Sequence, residues 1–317
     1  MNCPYCQRNL TSKKSLARGA GPICGSSGGS REMSLPAYSN AKAFLKKAQD
    51  NLLFEATQGL RPKFFYKEGD DCVLVKSIHG KEPENEFDMG LNPGGGIVEY
   101  SCNKIADLLG LPISRFGVMK IEDHECFTTE LFTHKWLKAD GKAQEFGALL
   151  PLQYFVDKED DYRKLHDTVI KLSSCPEIDS EKFVTMTIYD ALILNGDRHQ
   201  ENISMIEIGD TMVLSPVYDN MSAVYGCFDF NEIDPIKSKM TSGGVRMDTE
   251  TVLRESFSLN PKASKAFCDK ILVTRGLIIK QLDAIKDKKL RKLFAAGIES
   301  RLQTIELFVA SFIKKAP

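Results

Sequence analysis

Two acids and one carboxamide near the middle of the chain have a spacing that suits phosphoryl transfer. Asn202 follows Asp197 by five positions, and Asp219 follows Asn202 by 17 positions. Short apolar runs on either side of Gly209 and Asp210 predict a hairpin between Asn202 and Asp219. Phosphoryl transfer uses such a set, because one acid orients the attacking hydroxyl while an amide and a second acid hold magnesium on the phosphates.

The five-position interval also separates the catalytic aspartate from the metal-binding asparagine in the protein-kinase loop H-R-D-x-x-x-x-N. Clusters of Asp, Arg, His and Asn form ordinary turns too, because short polar side chains satisfy loop backbone groups. In this chain the cluster follows a predicted amphipathic helix over 179–194 and precedes the predicted hairpin. This context favours a catalytic loop over an ordinary turn.

The composition is typical of a soluble protein with a substantial core. The 317 residues suffice for one large two-lobed domain or for two domains, and 42% of them are hydrophobic. The net charge of −1 gives no general basic excess that would indicate nucleic-acid binding. No apolar run approaches the roughly 18 residues of a membrane helix, and the N-terminus is not typical of a secretory signal. Nine cysteines, an odd number, indicate reduced thiols and a cytoplasmic protein.

Residues 1–25 form a separate unit in which cysteines have metal-ligand spacing. Cys3 and Cys6 make a C-x2-C pair, and Cys24 follows. No further His or Cys occurs between Cys24 and Cys72. Thiolates at this spacing can share a zinc ion, although the sequence offers no evident fourth ligand, so a degenerate ribbon is the alternative. Basic residues in and after this unit indicate either a solvated face or a contact with nucleic acid or a partner: Lys13, Lys14, Arg18 and Arg31. A flexible linker over 26–37 is predicted from the Gly and Ser content at its start.

The next hundred residues predict a sheet with one helix against it. A helix over 39–53 is followed by a Gly-Leu-Arg-Pro-Lys turn over 59–63, whose backbone could wrap phosphates or merely lead into a strand. A strand over 72–76 ends in Lys76, as does the kinase strand with the phosphate-pairing lysine. In a predicted helix over 98–110, Glu99 lies at the edge of the apolar stripe. It can reach Lys76, or it complements the helix dipole.

The second half of the chain is predicted to be mainly helical. Strands over 113–121 and 125–132 precede it, and helices are predicted over 160–174, 179–194 and from 249 to the end. Between the last two, the segment 220–247 has little periodicity and is a candidate mobile loop over the site.

The order of these motifs resembles that of HipA-like serine/threonine kinases over roughly residues 40–315. The resemblance rests on five segments: Gly59-Leu60-Arg61-Pro62-Lys63, Val75-Lys76, the helix from Val98 to Pro112 with Glu99, Asn195 to Asn202, and Pro216 to Asp219. It implies an α+β, two-lobed, protein-kinase-like fold. A small β-rich N-lobe would span 38–132 and a larger helical C-lobe 133–317, after an N-terminal module that resembles a short zinc ribbon.

The resemblance also implies a role for each motif residue. Asp197 orients or deprotonates the substrate hydroxyl, His199 braces the catalytic loop, and Asn202 and Asp219 bind Mg²⁺. The remaining residues would bind ATP: the phosphate loop with Gly59, Arg61 and Lys63, the phosphate-pairing Lys76, its partner Glu99, and the adenine-binding crossover at Glu130 and Phe132.

Implied partners follow from the same family. Many members are toxins that phosphorylate translation components, so the expected substrate is a protein with a Ser or Thr acceptor, and an antitoxin or regulatory partner is expected. Nucleic acid would bind only through the N-terminal module. Members often autophosphorylate a serine near the phosphate loop, where the nearest hydroxyl in this chain is that of Thr57.

Two other functions remain open on the sequence alone. The Gly-Asp-Arg-His-x-x-Asn core is also similar to that of phosphatidylinositol kinases, although no membrane-facing amphipathic helix or polybasic patch lies beside it. The other alternative is a catalytically silent kinase fold that binds nucleic acid or a partner through its cysteine ribbon. The presence of Asp197, Asn202 and Asp219 argues against a silent fold.

Overall fold

The structure is a computed structural model of the chain. It describes residues 32–33, 52–55, 63–68, 71–77, 95–121, 124–130, 136–137, 144–145, 148–157, 161–195, 198–208, 210–220, 240–242 and 245–315.

A five-stranded antiparallel sheet with the order β1-β2-β3-β5-β4 carries the first site residues. Its strands are β1 (Leu52–Glu55), β2 (Lys63–Glu68), β3 (Asp71–Ser77), β4 (Phe116–Ile121) and β5 (His124–Glu130). Side chains alternate between the two faces of a strand, and in β3 Val73 and Val75 are buried whereas Leu74 is partly exposed. The same alternation places Lys76 on the face opposite Val75.

The helix α1 (Gly95–Leu108) packs against this sheet. The residues of its apolar stripe are fully or almost fully buried: Val98, Cys102, Ile105, Ala106 and Leu109. Gly110, with φ of 70°, ends the helix. The N–H of Gly110 bonds to the carbonyl of Asp107, and the N–H of Leu111 bonds to that of Ala106, which is the paired C-terminal arrangement that a left-handed glycine permits.

In the described residues the larger part consists of six further α-helices: α2 (Tyr162–Leu172), α3 (Pro176–Ile193), α4 (Thr249–Leu259), α5 (Pro261–Val273), α6 (Arg275–Lys280) and α7 (Lys288–Lys315). The central helix α3 is buried along most of its length and contacts α2, α4, α5 and α7. Asp161 and Asp248 cap the first turns of α2 and α4. Five apolar side chains of α7 lie buried in this core: Leu290, Phe294, Ile298, Leu302 and Ile305.

Seven short strands complete the described fold: β6 (Trp136–Leu137), β7 (Gln144–Glu145), β8 (Ala148–Pro151), β9 (Ser204–Ile208), β10 (Thr211–Leu214), β11 (Met240–Ser242) and β12 (Val245–Met247). The antiparallel pair β9–β10 is the hairpin predicted between Asn202 and Asp219, and β8 adds a third strand to it. The predicted α+β class, with a small sheet-rich part and a larger helical part, is confirmed.

Three segments differ from the expectations. The predicted helix over 39–53 is wrong at its end, because Leu52 and Leu53 belong to β1; the rest of it, 39–51, lies outside the described residues. The predicted loop 220–247 contains the antiparallel pair β11–β12. In the predicted linker, Glu32 forms a bridge to Phe116 of β4, and the neighbouring Met33 is buried. The domain limits at 25, 37 and 132 stay predictions.

No helix among the described residues combines the length and apolar character needed to cross a membrane.

Candidate active site

The buried ammonium group of Lys76 contacts the carboxylate of Glu99. Lys76 Nζ donates to Glu99 Oε1 at 2.9 Å and to Oε2 at 3.2 Å. Lys76 lies near the end of β3 and Glu99 in the first half of α1, which packs on the neighbouring strand β5. Glu99 is only 2% exposed, so this ion pair is shielded from water and weakly screened by salt.

Asp219 is the second acid at Lys76. Lys76 Nζ donates to Asp219 Oδ1 at 3.1 Å, while the Asp219 side chain remains 34% exposed. An ammonium group has three donors, and the two oxygens of Glu99 and one of Asp219 account for them. A bound phosphate would therefore compete with Asp219, the exposed partner, rather than with buried Glu99.

The charge of Lys76 is secured by these neighbours. Burial by itself would lower the pKa of Lys76, but the carboxylates of Asp219 and Glu99 outweigh that effect and raise the pKa above its ordinary value. Lys76 is therefore a permanent cation at neutral pH. A fixed cation at this position suits the binding of phosphate oxygens.

Asp219 has a strained backbone. Its φ is 51°, in the left-handed region that side chains other than glycine rarely adopt. Val217, two residues earlier, bridges to Ile113, and its N–H bonds to the carbonyl of Pro112 at 2.7 Å. Such strain persists where the surroundings determine the conformation, and it is common at functional sites.

The loop with the predicted catalytic acid begins at a second left-handed residue. Leu194, with φ of 62°, ends α3. The N–H of Asn195 then bonds to the carbonyl of Asp190 at 2.9 Å, and the side-chain Nδ2 of Asn195 donates to Asp190 Oδ1 at 2.9 Å. Asp197 itself lies outside the described residues.

Arg198 is fully buried and forms the centre of a polar hub with Asp190. Its Nε and Nη2 donate to the two oxygens of the Asp190 carboxylate at 2.9 and 3.0 Å. Nη2 also donates to Asn220 Oδ1 at 2.8 Å, while Nη1 donates to the backbone carbonyls of Asn202 and Tyr218 at 3.0 and 2.7 Å. All five donors of the guanidinium group are thereby satisfied.

This hub joins the two segments that carry the predicted magnesium ligands. One nitrogen, Arg198 Nη1, binds the carbonyl of Asn202 and the carbonyl of Tyr218, the residue just before Asp219. The backbones at the two predicted ligands therefore meet at Arg198, although they are 17 positions apart in sequence.

His199 lies against Asn202, one turn of 3₁₀ helix away. The N–H of Glu201 donates to His199 Nδ1 at 3.2 Å, and His199 Nε2 lies 3.3 Å from the carboxamide nitrogen of Asn202. Because Nδ1 accepts the hydrogen bond from Glu201, Nε2 carries the ring proton and does not accept one from the Asn202 amide. The bracing role of His199 stays a prediction.

Glu130 lies at the end of β5, where the chain leaves the sheet. Its N–H bonds to the carbonyl of Arg115 at 2.8 Å, and Arg115 Nη1 lies 3.9 Å from its carboxylate. Burial raises the pKa of Glu130, an effect that Arg115 partly opposes. Lys63 pairs with Lys76 in the β2–β3 register, so the backbone at the end of the predicted phosphate loop lies beside the site.

Several predicted site residues lie outside the described part of the chain: Cys3, Cys6, Cys24, Thr57, Gly59, Arg61, Phe132 and Asp197. The zinc site and the phosphate loop therefore stay predictions. Within the described residues, no group of three or more His, Cys, Asp and Glu side chains could hold a metal ion. The proposed magnesium ligands are one acid and one amide, so they do not form such a group.

Three polar residues of this region had no role in the sequence analysis: Asn103, Asp190 and Asn220. Asp190 faces Arg198 from α3, and Asn220 Nδ2 donates to Asn103 Oδ1 of α1 at 2.8 Å. The only sequence signal for Asn220 is its position directly after Asp219. Asn103 carries none, because its partner is 117 residues away.

A family model described as the HipA-like C-terminal domain matches residues 56–274 of the chain. This range includes every described site residue named above. The search of curated protein sequences found no match to this chain.

Two solved structures have a similar fold. The Helicobacter pylori proinflammatory kinase CtkA superposes with a TM-score of 0.61 at 14% identity, over 84% of this chain and 97% of that one. HipA of Shewanella oneidensis MR-1, solved in a complex with HipB and operator DNA, superposes with a TM-score of 0.57 at 13% identity. That match covers 86% of this chain and 71% of the other. At such identities the similarity shows the kinase-like fold alone.

Proposed function

Because the chain belongs to the HipA-like C-terminal domain family, we propose that it is a protein kinase that transfers the γ-phosphate of ATP to a serine or threonine hydroxyl. The observation that carries this proposal is the position of Lys76 between the buried carboxylate of Glu99 and the partly exposed carboxylate of Asp219. A desolvated, fixed cation beside an accessible carboxylate suits the phosphates of a nucleotide and their metal ion.

In this proposal Lys76 binds the phosphates and Glu99 holds it in place. Because two of the three Lys76 donors bond to Glu99, the ammonium group keeps its position when a phosphate replaces Asp219 at the third. The exposed Asp219 carboxylate is then available for a cation. Substrate positioning and charge neutralisation supply most of the rate in phosphoryl transfer.

Asn202 and Asp219 would hold magnesium, and Asp197 would orient the acceptor hydroxyl. The donor set suits a hard divalent cation, which prefers carboxylate and carbonyl oxygens. Magnesium supplies charge neutralisation on the phosphates when it is bound. Arg198 fixes the backbones of both ligand-bearing segments to one nitrogen, and His199 lies beside the Asn202 side chain. The nucleotide base would lie at the crossover of Glu130 and Phe132.

The partner side of the proposal is a protein substrate and a regulatory protein. The similar structure of HipA contains HipB and operator DNA, so a partner of the antitoxin type is part of the proposal. Nucleic acid would reach this chain through that partner or through residues 1–25. Zinc bound by Cys3, Cys6 and Cys24 belongs to the same proposal.

Substitution of the phosphate-binding lysine tests the proposal most directly. We expect Lys76→Met to lower γ-phosphate transfer on the order of 100-fold or more, because the fixed cation is lost. The measurement is transfer from labelled ATP with magnesium, to the protein itself and to casein as a protein acceptor. Lys120→Met is the matched control, because Lys120 is an exposed lysine of the same sheet, on β4, and we expect its activity to equal that of the wild type.

Two further arms separate the rival functions. Transfer to phosphatidylinositol vesicles but not to protein would replace the proposal with a lipid kinase. Magnesium-ATP at 100 times its dissociation constant should stabilise the wild type by about 2.7 kcal/mol, and Asp219→Asn should reduce this shift. Absence of both transfer and a magnesium-ATP shift in the wild type would show a silent fold.

A further inference from the structure

A pair of buried asparagines connects the Glu99 helix to the Asp219 loop. Asn220 Nδ2 donates to Asn103 Oδ1 at 2.8 Å, and the two residues are 0% and 7% exposed. Asn103 lies four positions after Glu99 on α1, so both side chains project from the same side of the helix. Asn220 follows Asp219 directly. The bond therefore connects the two elements whose carboxylates bind Lys76, namely α1 with Glu99 and the loop with Asp219.

The orientation of both amides is determined by Arg198. Because Arg198 has only donors, the group of Asn220 that faces it must be the carboxamide oxygen. The nitrogen of Asn220 therefore points the other way, and Asn103 must present its oxygen to it. Neither amide can rotate by half a turn without breaking a buried hydrogen bond, which makes the contact directional.

The contact between Asn103 and Asn220 lies next to a strained backbone. Asp219 has φ of 51°, a conformation that relaxes unless its neighbours prevent it. Its two neighbours are both held: the Tyr218 carbonyl by Arg198 at 2.7 Å, and the Asn220 side chain by Arg198 and Asn103. Two residues hold these neighbours of Asp219. Arg198 lies in the loop after α3, whereas Asn103 lies on α1, the helix that carries Glu99.

A second contact fixes the same turn of α1 to the helical part. Tyr189 of α3 donates its hydroxyl to the carbonyl of Cys102 at 2.7 Å, and both residues are fully buried. The turn that contains Cys102 and Asn103 is thus fixed relative to α3, so Asn103 is a firm support for the loop.

We propose that Asn103 is a positioning residue of the magnesium site, which holds Asp219 in its strained conformation by binding Asn220 and so sets the Asp219 loop relative to Glu99. The proposal rests on the proposed function for its magnesium part. Its structural part, that Asn103 determines the mobility of the Asp219 loop, stands on the contacts alone. Without this bond the Asp219 carboxylate would sample positions away from Lys76.

The first test is the substitution Asn103→Leu, which has nearly the same shape but no acceptor. We expect kcat to fall about 10–100-fold, as is typical when the support of a metal ligand is removed, and the magnesium concentration for half-maximal activity to rise. The KM for ATP at saturating magnesium should change less, because Lys76 and Glu99 are untouched. A substitution that merely loosened the core would not shift the magnesium dependence.

Two variants serve as controls. Asn103→Asp keeps an oxygen acceptor for Asn220 whether it is ionised or protonated, and we expect it to restore most of the magnesium dependence of the wild type. Lys104→Ala changes the next residue of α1, which is partly exposed and outside the pair, and should behave as wild type. If Asn103→Leu does not fold, Asn103→Ser replaces it, because serine is too short to reach Asn220.

The second test does not depend on kinase activity. Amide hydrogen exchange of a peptide that covers 217–220 should become faster in Asn103→Leu and Asn103→Ser without ligand, while exchange in α5 stays unchanged. Unchanged exchange at 217–220 would overturn the proposal. Faster exchange with wild-type magnesium dependence would overturn its magnesium part. A wild type with neither ATP binding nor transfer would refute the proposed function, and the exchange result would still decide the role of Asn103.

Discussion

The Lys76 site and the Arg198 hub are both built on a buried cation that binds carboxylates, but they differ in how completely they are closed. At Lys76 one of the two acids, Asp219, is 34% exposed. At Arg198 both members of the ion pair are 0% exposed, and all five donors bond to groups that belong to the protein. The first cluster can exchange a partner for a ligand, and the second cannot.

The difference shows how rigidity and chemistry are divided in this fold. Arg198 binds the segments of Asn202, Tyr218 and Asn220, so the closed hub holds the backbone under the open site. The planar guanidinium group suits this task, because it can bind a carboxylate with two bonds and still serve carbonyls on its other side. The compact ammonium of Lys76 suits the exchange of one acid for a phosphate.

Loss of the hub should have the largest effect on stability. In Arg198→Met the Asp190 carboxylate stays buried without its cation, and we expect the free energy of unfolding to fall by about 3–5 kcal/mol. Urea denaturation measures this change. The double variant Arg198→Met with Asp190→Asn removes the uncompensated charge and should recover part of the loss. A double variant that loses as much as the two single variants together would show that the two residues act independently.

Residues of the open site were easier to predict from sequence than those of the closed hub. Lys76 ends the predicted valine-containing strand 72–76 and Asp219 follows a predicted hairpin, so local sequence patterns marked both residues. Arg198 was visible in the catalytic-loop motif, but its complete burial was not, because arginine is almost never fully buried unless it is paired. Its partner Asp190 lies in the last turn of α3, and no sequence motif marks an acid there.

Long-range pairs and element ends were the other limits. The bond between Asn103 and Asn220 spans 117 positions, and an asparagine can be satisfied in too many ways for sequence to select one partner. The helical pattern over 39–53 was extended into Leu52 and Leu53 because leucine fits helix and strand alike. Pairing with β2 decides for the strand, and that pairing partner is not visible in a local window.

A third buried acid tests whether charge compensation distinguishes these regions. Asp179 is 0% exposed and accepts hydrogen bonds from Ser173 and from the N–H of Leu214, while Lys182 Nζ lies 3.2 Å away. Burial raises the pKa of Asp179 to about 7, although the two hydrogen bonds lower it. Asp190 is bonded by both Nε and Nη2 of Arg198, whereas the cation at Asp179 is the single ammonium group of Lys182.

This raised pKa gives a pH dependence with a definite sign. The folded protein favours protonated Asp179, so the stabilisation is complete below the ordinary pKa of an aspartate, about 3.9, and is lost as the pH rises through about 7. The free energy of unfolding of the wild type should fall relative to that of Asp179→Asn between pH 4 and pH 8, on the order of a few kcal/mol. Urea denaturation of both proteins across this range measures the difference. A constant difference would mean that Lys182 keeps Asp179 ionised throughout.

The smallest effect on stability is expected at an exposed ion pair that, like the Arg198 hub, contains an arginine. Arg254 Nη2 donates to Glu250 at 2.8 Å, four positions earlier on α4, but the two side chains are 69% and 61% exposed. Water solvates both charges whether or not they meet, so Arg254→Met should change the free energy of unfolding by a few tenths of a kcal/mol at most. Measured beside Arg198→Met, it compares one substitution at two depths. An equal decrease in the free energy of unfolding at the two positions would mean that burial of the ion pair does not matter. The distinction between the closed hub and the solvated pair would then be wrong.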